Sequence, residues 1–299
     1  MITVFGSINL DLVVVVERLP APGETIGGSD HQTFAGGKGA NQALAAKKAG
    51  AIVKMIGAVG QDGFSQLALA NLVAAEVDLS GVRSLDGATG IAMIGVDAKG
   101  ENQIIFARGA NARADADWLK EGLGPDDTLM LQGEAPFQQI AKAMHIAKQA
   151  QTAIFWNPAP VPRGDLGDCL DLVSTLVVNE SEAAEIARRY GLSTDLNEFL
   201  DHFETPSRAI VATLGAAGVI ATKEGKRYRF ASPAVKAVDT TGAGDAFCGA
   251  LAAALDRNVT FERAVKEGVA AGAIACTLTG AQSSAPLKSD IEHLADQIV

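Results

Sequence analysis

Asp239-Thr240-Thr241-Gly242-Ala243-Gly244-Asp245-Ala246-Phe247 stands between a short apolar run with one lysine, residues 235–238, and a small-residue apolar stretch of helical period, residues 248–255. The order reads as strand, tight glycine turn and helix. With no Cβ at Gly242 or Gly244 the backbone can bend sharply, and its N–H groups can converge on an anion at the positive end of a helix dipole. Asp245 is the odd member of such a turn. A carboxylate there repels phosphate, so it reads as a base that meets a hydroxyl. The same nine residues also allow a purely structural reading, a small-residue turn that lets a helix pack closely on a sheet. Two competing motifs fail: the chain has no G-x-x-x-x-G-K-S/T, and Phe247 stands where G-x-G-x-x-G needs its third glycine.

Composition narrows the classes around this turn. A chain of 299 residues that is 48% hydrophobic can fill a sizeable α/β core. Its formal net charge of −10 argues against a nucleic-acid or anionic-membrane surface. Any phosphate site must therefore be built locally, from helix ends and a few lysines or arginines. Cys169, Cys248 and Cys276 show no C-x-x-C spacing, so neither a disulfide framework nor a zinc site is indicated. Cys248 reads as a core residue rather than a nucleophile. His31, His145, His202 and His293 lie far apart with no metal-ligand spacing, and no G-x-S-x-G elbow marks a serine hydrolase. The start has no basic leader and no stretch long enough to span a membrane, which points to a reducing, cytoplasmic setting.

Taken in order, residues 2–6 form a short apolar strand that runs into Gly6-Ser7-Ile8-Asn9-Leu10-Asp11. This sets Asn9 and Asp11 at the mouth of a sheet, where open α/β sheets bind their ligands. Residues 12–16 are a second β-branched run, ended by the turn signal Leu19-Pro20-Ala21-Pro22-Gly23-Glu24, and residues 25–34 read as an extended arm. Gly36-Gly37-Lys38-Gly39-Ala40-Asn41-Gln42-Ala43 then opens a helix to about Lys48. Paired glycines let a ligand approach the backbone, with Lys38 and Asn41 one turn apart on one face; helix capping is the structural alternative. Residues 52–59 read as a buried strand, and Asp62 as the cap of a helix reaching about Ala75. Residues 88–96 and 103–106 suggest a hairpin around Asp97-Ala98-Lys99-Gly100. With residues 12–34 the hairpin makes either a small second sheet acting as a lid or extra strands of the main sheet. From residue 112 onward, strands near 128–131, 153–156, 176–178 and 209–213 alternate with helices near 136–150 and 180–190, which argues for parallel βαβ units. A hairpin over 217–221 and 227–230 precedes the glycine turn; helices over 261–276 and 291–299 follow it.

These motifs together resemble the ribokinase-like sugar kinases, the PfkB family, over essentially the whole chain. The likeness rests on Gly6-Ser7-Ile8-Asn9 with Asp11, on residues 36–43, on Asn157-Pro158-Ala159-Pro160, on Asn179-Glu180-Ser181-Glu182, on Thr213-Leu214-Gly215 and on residues 239–245. The resemblance implies a three-layer α/β/α sandwich with a mostly parallel central sheet. It implies a single domain over residues 1–299, with a small β-sheet lid inserted at about 12–34 and 88–107, often shared across a homodimer. It implies transfer of the γ-phosphoryl group of ATP to the primary hydroxyl of a pentose, D-ribose first, rather than of another sugar, a keto-deoxy sugar acid or a nucleoside. A non-catalytic sugar-binding protein would have no use for a base such as Asp245.

Residue by residue, the resemblance makes Asp245 the general base and Gly242-Ala243-Gly244 the anion hole. It gives the sugar hydroxyls to Asn9, Asp11, Gly37, Lys38, Asn41 and Glu134. Asn179 and Glu182 match a motif that organises Mg2+ and phosphates through water, and Thr213, Gly215 and Gly218 match the nucleotide loop with Gly244. Asp239 and Thr241 match a monovalent-cation site completed by Ala275, Leu278, Gly280 and Ser284, which implies activation by potassium. Leu278 stands where a basic residue is usual, a change that a backbone carbonyl ligand survives. Val269 replaces the usual Asn or His near the adenine, so the nucleotide preference is less firmly implied than the chemistry.

Overall fold

The computed structural model describes residues 1–120 and 122–299. The first strand, β1 (Ile2–Phe5), is buried at every position. Ile2 and Val4 enter one hydrophobic cluster and Phe5 the other, as the two-residue period of a strand covered on both faces requires. The chain then leaves the main sheet for β2 (Asn9–Val15) and β3 (Gln32–Gly36), and returns through α1 (Lys38–Lys48), β4 (Val53–Gly60), α2 (Phe64–Ala74) and β5 (Asp78–Leu85). A hairpin of β6 (Gly90–Val96) and β7 (Asn102–Ala107) follows. Next come β8 (Thr128–Leu131), α3 (Phe137–Gln149), β9 (Ala153–Trp156), α4 (Gly167–Leu172), β10 (Thr175–Asn179), α5 (Glu180–Arg189), α6 (Leu196–Phe203) and β11 (Ala209–Thr213). The hairpin β12 (Val219–Lys223) and β13 (Lys226–Phe230) leads to α7 (Ala243–Asp256), α8 (Phe261–Ala275) and α9 (Lys288–Ala295).

Among the described residues the main sheet runs β13-β12-β11-β10-β9-β8-β1-β4-β5. It is parallel from β11 to β5 and antiparallel in the terminal hairpin. All its parallel strands therefore deliver their carboxyl ends to one edge. One face packs Leu44, Leu251, Val265 and Ile291 from α1, α7, α8 and α9, and the other packs Ile140, Ile186 and Phe199 from α3, α5 and α6. The result is the three-layer α/β/α sandwich with a mostly parallel central sheet. The second sheet, β3-β2-β6-β7, stands apart from it, so the hairpin does not extend the main sheet. A Cβ at Gly249 in α7 would lie 2.5 Å from the Ala45 Cβ of α1. That close approach brings the first turns of α1 and α7 side by side.

Several sequence expectations are corrected. Residues 235–238 form no strand. Val235 and Val238 are 38% and 63% exposed, and the N–H groups of Val238 and Asp239 donate to the Cys276 carbonyl at the end of α8 instead of to a ladder. The turn is thus approached by an extended loop, and the helix starts at Ala243, which puts Asp245 in its first turn. Asn9 and Asp11, expected at the mouth of a sheet, lie within β2 of the small sheet, paired with Gly36 and Phe34. The edge strand β5 escapes notice because its mixed burial blurs the alternation a half-buried strand normally shows. The last helix begins three residues early, at Lys288.

Candidate active site

The chain turns left-handed where α7 begins. Gly242, the N-cap, has φ 77°, and a Cβ there would come within 2.5 Å of the Ala281 Cα, so both dihedral and packing demand glycine. Ala243 N–H is used by the Thr240 carbonyl at 3.2 Å, but among the described residues Gly242 and Gly244 N–H find no main-chain acceptor. A Cβ on Gly244 would touch nothing within 4 Å. Free N–H groups at the positive end of a 14-residue helix, facing open space, are suited to holding an anion.

Asp245 sits directly behind them and is only 4% exposed. Asn41 Nδ2 donates to Oδ2 at 3.0 Å and Gln42 Nε2 donates to Oδ1 at 3.0 Å. The Lys38 ammonium is 3.9 Å from Oδ1. Asp245, against a smaller effect of burial, raises the Lys38 pKa, so that the ammonium stays charged. Cys248, one turn on, is pushed well above its ordinary pKa by burial and then by Asp245, which makes it a neutral core thiol.

Across the cleft, Glu134 Oε2 accepts the Lys38 main-chain N–H at 3.0 Å and the Ser7 hydroxyl. Burial first and Glu134 second lift Asp11 to about 6. Asn9, two residues before Asp11 on β2, accepts at its Oδ1 a hydrogen bond from Asn111 Nδ2 at 2.8 Å. Gly37 caps α1 with φ 88°. Asn9, Asp11, Gly37, Lys38, Asn41, Glu134 and Asp245 therefore meet where the small sheet joins the carboxyl edge of the main one. Asn41 has both ends engaged, since its Oδ1 accepts from Gln282 Nε2 at 3.0 Å.

Asn179 and Glu182 form a capping box on α5, with Glu182 N–H donating to Asn179 Oδ1 at 2.8 Å and Asn179 N–H to Glu182 Oε2 at 2.9 Å. Burial raises the Glu182 carboxyl despite that bond, with Lys38 pulling it down and Asp245 pushing it up. Thr213 ends β11, and Gly215 (φ 54°) and Gly218 (φ 98°) shape the turn into β12, closed by Leu214 N–H to the Gly218 carbonyl at 2.8 Å. Val269 is buried at 5% exposure in α8.

Asp239 joins two loops. Its Oδ1 accepts Thr241 N–H at 2.8 Å and its Oδ2 accepts Gly280 N–H at 2.9 Å. Burial pushes its carboxyl upward, but the bonds from Thr241 and Gly280 outweigh it and leave the pKa below the ordinary value. The Ala275 carbonyl accepts Leu278 N–H at 3.3 Å and the Gly280 carbonyl accepts Ser284 N–H at 3.2 Å, two successive turns of which Gly280 is bonded to Asp239.

Sequence reasoning assigned no role to Gln42, Asn111, Gln132, Asn157 or Gln282, all of which are buried. Their common signal was available: buried amides must find partners. A cavity of about 700 Å³ lies elsewhere, at the amino ends of β8–β11, and none of the residues above lines it. Ligands of such sheets collect at the opposite edge.

A base-like carboxylate fixed beside free N–H groups at a helix start, with hydroxyl-binding acids opposite, defines a phosphotransferase that uses an alcohol acceptor. Residues 1–288 match the model of the pfkB family carbohydrate kinases, and the chain belongs to that family. It is 36% identical over 308 aligned positions to a ribokinase of Haemophilus influenzae, with 98% of each chain covered. The crystal structure of a ribokinase from Thermotoga maritima superposes with a TM-score of 0.89 at 33% identity, covering 99% of both chains. A ribokinase of Arabidopsis thaliana complexed with ribose and ATP superposes at 0.85 with 28% identity and 98% coverage of both.

The raised Asp11 has a testable consequence. An acid whose folded pKa exceeds its unfolded value binds more protons when folded, so its charge costs stability as pH rises from about 4 through about 6. Asp11→Asn should raise Tm more at about pH 8 than at about pH 4 in ligand-free thermal unfolding; an equal shift at both would contradict the strained carboxylate.

Proposed function

We propose that the protein phosphorylates the primary hydroxyl of D-ribose with ATP, yielding ribose 5-phosphate and ADP. The observation that carries this is the buried Asp245 carboxylate, held between Lys38 and two amide donors at the foot of the α7 N-terminus. The pentose reading is supported by ribokinases aligning from end to end, one of them solved with ribose and ATP.

In this reading Asn9, Asp11, Gly37, Lys38, Asn41 and Glu134 hold the sugar through its hydroxyls. Asp11 and Glu134 supply acceptors for hydroxyl pairs, and a sugar lacking one leaves a half-buried carboxylate unpaired. Asp245 takes the proton of the primary hydroxyl as its oxygen bonds to the γ-phosphorus. The bond from that phosphorus to the bridging oxygen breaks, and ADP leaves with the electron pair. Gly242-Ala243-Gly244 steady the charge of the migrating group, and Lys38 adds a fixed positive charge beside it. Thr213, Gly215 and Gly218 flank the nucleotide together with Gly244.

Hard oxygen donors surround the two places where cations belong in this reading. Glu182, with Asn179, would hold Mg2+ through water, and the ion would neutralise phosphate charge. Asp239, Thr241, Ala275, Leu278, Gly280 and Ser284 would hold potassium. What supports this reading is the Asp239 carboxylate, which ties the loop of Gly280 to Thr241 just before the α7 start. Bound there, the cation would brace the anion hole.

The small sheet, with residues 12–34 and 88–107, is the lid of the single domain 1–299. Val15, Met93, Ile104, Ile105 and Phe106 are 40% to 66% exposed on it, and β7 is exposed along its whole length. Exposed apolar side chains on both faces of this sheet, with Ile104 and Phe106 on one face of edge strand β7 and Ile105 on the other, support a homodimer formed through the lid. No helix among the described residues is long and apolar enough to cross a membrane. The three unpaired cysteines support a reducing, cytoplasmic setting.

Asp245→Asn should lower kcat by on the order of 10² to 10⁴ while ribose binding by calorimetry stays near the parent value. Turnover within a few-fold of the parent would remove Asp245 as the base. Replacing potassium by a large inert cation should depress activity, and equal rates in both would remove the cation site. Ile105→Glu should sediment as a monomer where the parent is a dimer; an unchanged sedimentation coefficient would rule out the lid interface.

A further inference from the structure

Each oxygen of the Asp245 carboxylate is the end point of a chain of amides, all buried except the outermost, Asn71. On the Oδ1 side, Gln42 is fully buried, and its Nε2 is shared between Asp245 at 3.0 Å and Asn157 Oδ1 at 3.1 Å. Asn157 Nδ2 in turn donates to the Val177 carbonyl in β10 at 2.9 Å. A main-chain carbonyl only accepts, so Val177 fixes which end of the Asn157 amide is the donor. The Asn157 oxygen must then face Gln42, which obliges Gln42 to point its NH2 group at both Asn157 and Asp245. Gln132 Nε2 closes the chain on Gln42 Oε1 at 3.0 Å. Gln132 keeps that orientation although its own Oε1 has no partner among the described residues.

On the Oδ2 side the order is repeated with different residues. Asn71 Nδ2 donates to Gln282 Oε1 at 3.0 Å, Gln282 Nε2 to Asn41 Oδ1 at 3.0 Å, and Asn41 Nδ2 to Asp245 Oδ2 at 3.0 Å. Both chains thus present N–H groups, and only N–H groups, to the carboxylate. Lys38, Glu182, Cys248, Glu134 and Asp11 are the titratable groups that also act on this cleft, and only Lys38 is a cation.

We propose that Gln42 and Gln282 are positioning residues: two polarised amide relays hold Asp245 as an ionised, oriented acceptor, leaving its remaining lone pairs for the substrate hydroxyl. The relays differ in what they connect. The first ties the base to β8, β9 and β10, and the second ties it through residue 282 to the loop after α8 and to Asn71 in α2. Neither Gln42 nor Gln282 needs to touch sugar or nucleotide. This rests on Asp245 as the base.

The test uses Gln42→Glu, Gln42→Leu and Gln282→Glu, with Asp245→Asn as the reference for the base itself. A glutamate at 42 sets a second acid against Asp245, and one at 282 forces the Asn41 amide to turn its oxygen toward Asp245. The expected result is a 10-fold or greater loss of kcat in the two glutamate variants, a ribose Kd within about threefold of the parent in the Gln42 variants, and an acid limb of the kcat–pH profile displaced to higher pH. Gln42→Leu should lose kcat with a smaller displacement. Because Gln282 lies on a loop and Gln42 in a packed helix, a Gln42 variant that fails to fold leaves the second relay to decide. If Asp245→Asn is inactive while Gln282→Glu, or a folded Gln42 variant, keeps the parental kcat and acid limb, the relays are only structural. If Asp245→Asn itself stays active, it is the assignment of the base that falls.

Discussion

The contact on which the site depends is that between the Asp245 carboxylate at the start of α7 and the side chains of Asn41 and Gln42 at the start of α1. An ionised carboxylate that is 4% exposed must be compensated. Hydrogen bonds to a charged group contribute about 1.5–3 kcal/mol each, so two of them and a nearby ammonium offset much of the desolvation. The same bonds lock two helices whose close approach depends on Gly249 facing Ala45. Helix packing and chemistry are therefore one constraint seen from two sides.

That constraint explains how an acidic protein can bind phosphate. With a net charge of −10, the chain cannot attract ATP by its overall field. Attraction must come from the α7 N-terminus and Lys38, both placed within the same cleft. Asp11 and Glu134 stand across the cleft, where hydroxyls rather than phosphates are expected, and their mutual repulsion contributes to the raised Asp11 pKa. In the proposed reading, separation of the acids from the N–H groups would give the cleft a sugar end and a phosphate end.

Much of this was legible in the amino-acid order. Buried strands such as β8, β9 and β11 are apolar runs bounded by polar residues, and residues 209–213 fall where the periodicity sets them. Gly242 marks the helix start because its left-handed N-cap conformation and the adjacent Ala281 backbone leave no room for a side chain. The approach to the turn was misread because residues 235–238 look β-branched and apolar, yet no strand lies beside them to complete a ladder. Roles for Gln42, Asn157 and Gln282 were hidden for another reason. An amide in a motif says nothing of its partner until the fold brings together positions more than 100 residues apart, as it does for Gln42 with Asn157 and Asn41 with Gln282. Asn179 and Glu182 serve a nearby helix cap as well as the cleft, so their spacing alone cannot separate the two uses.

The most direct measurement is ADP formation by the purified protein across a panel of pentoses, hexoses, sugar acids and nucleosides, with Mg2+ and potassium present. The account predicts the highest kcat/KM for D-ribose, with phosphate appearing on its primary hydroxyl. No sugar-dependent ADP release, or a nucleoside preferred over every free sugar, would contradict it.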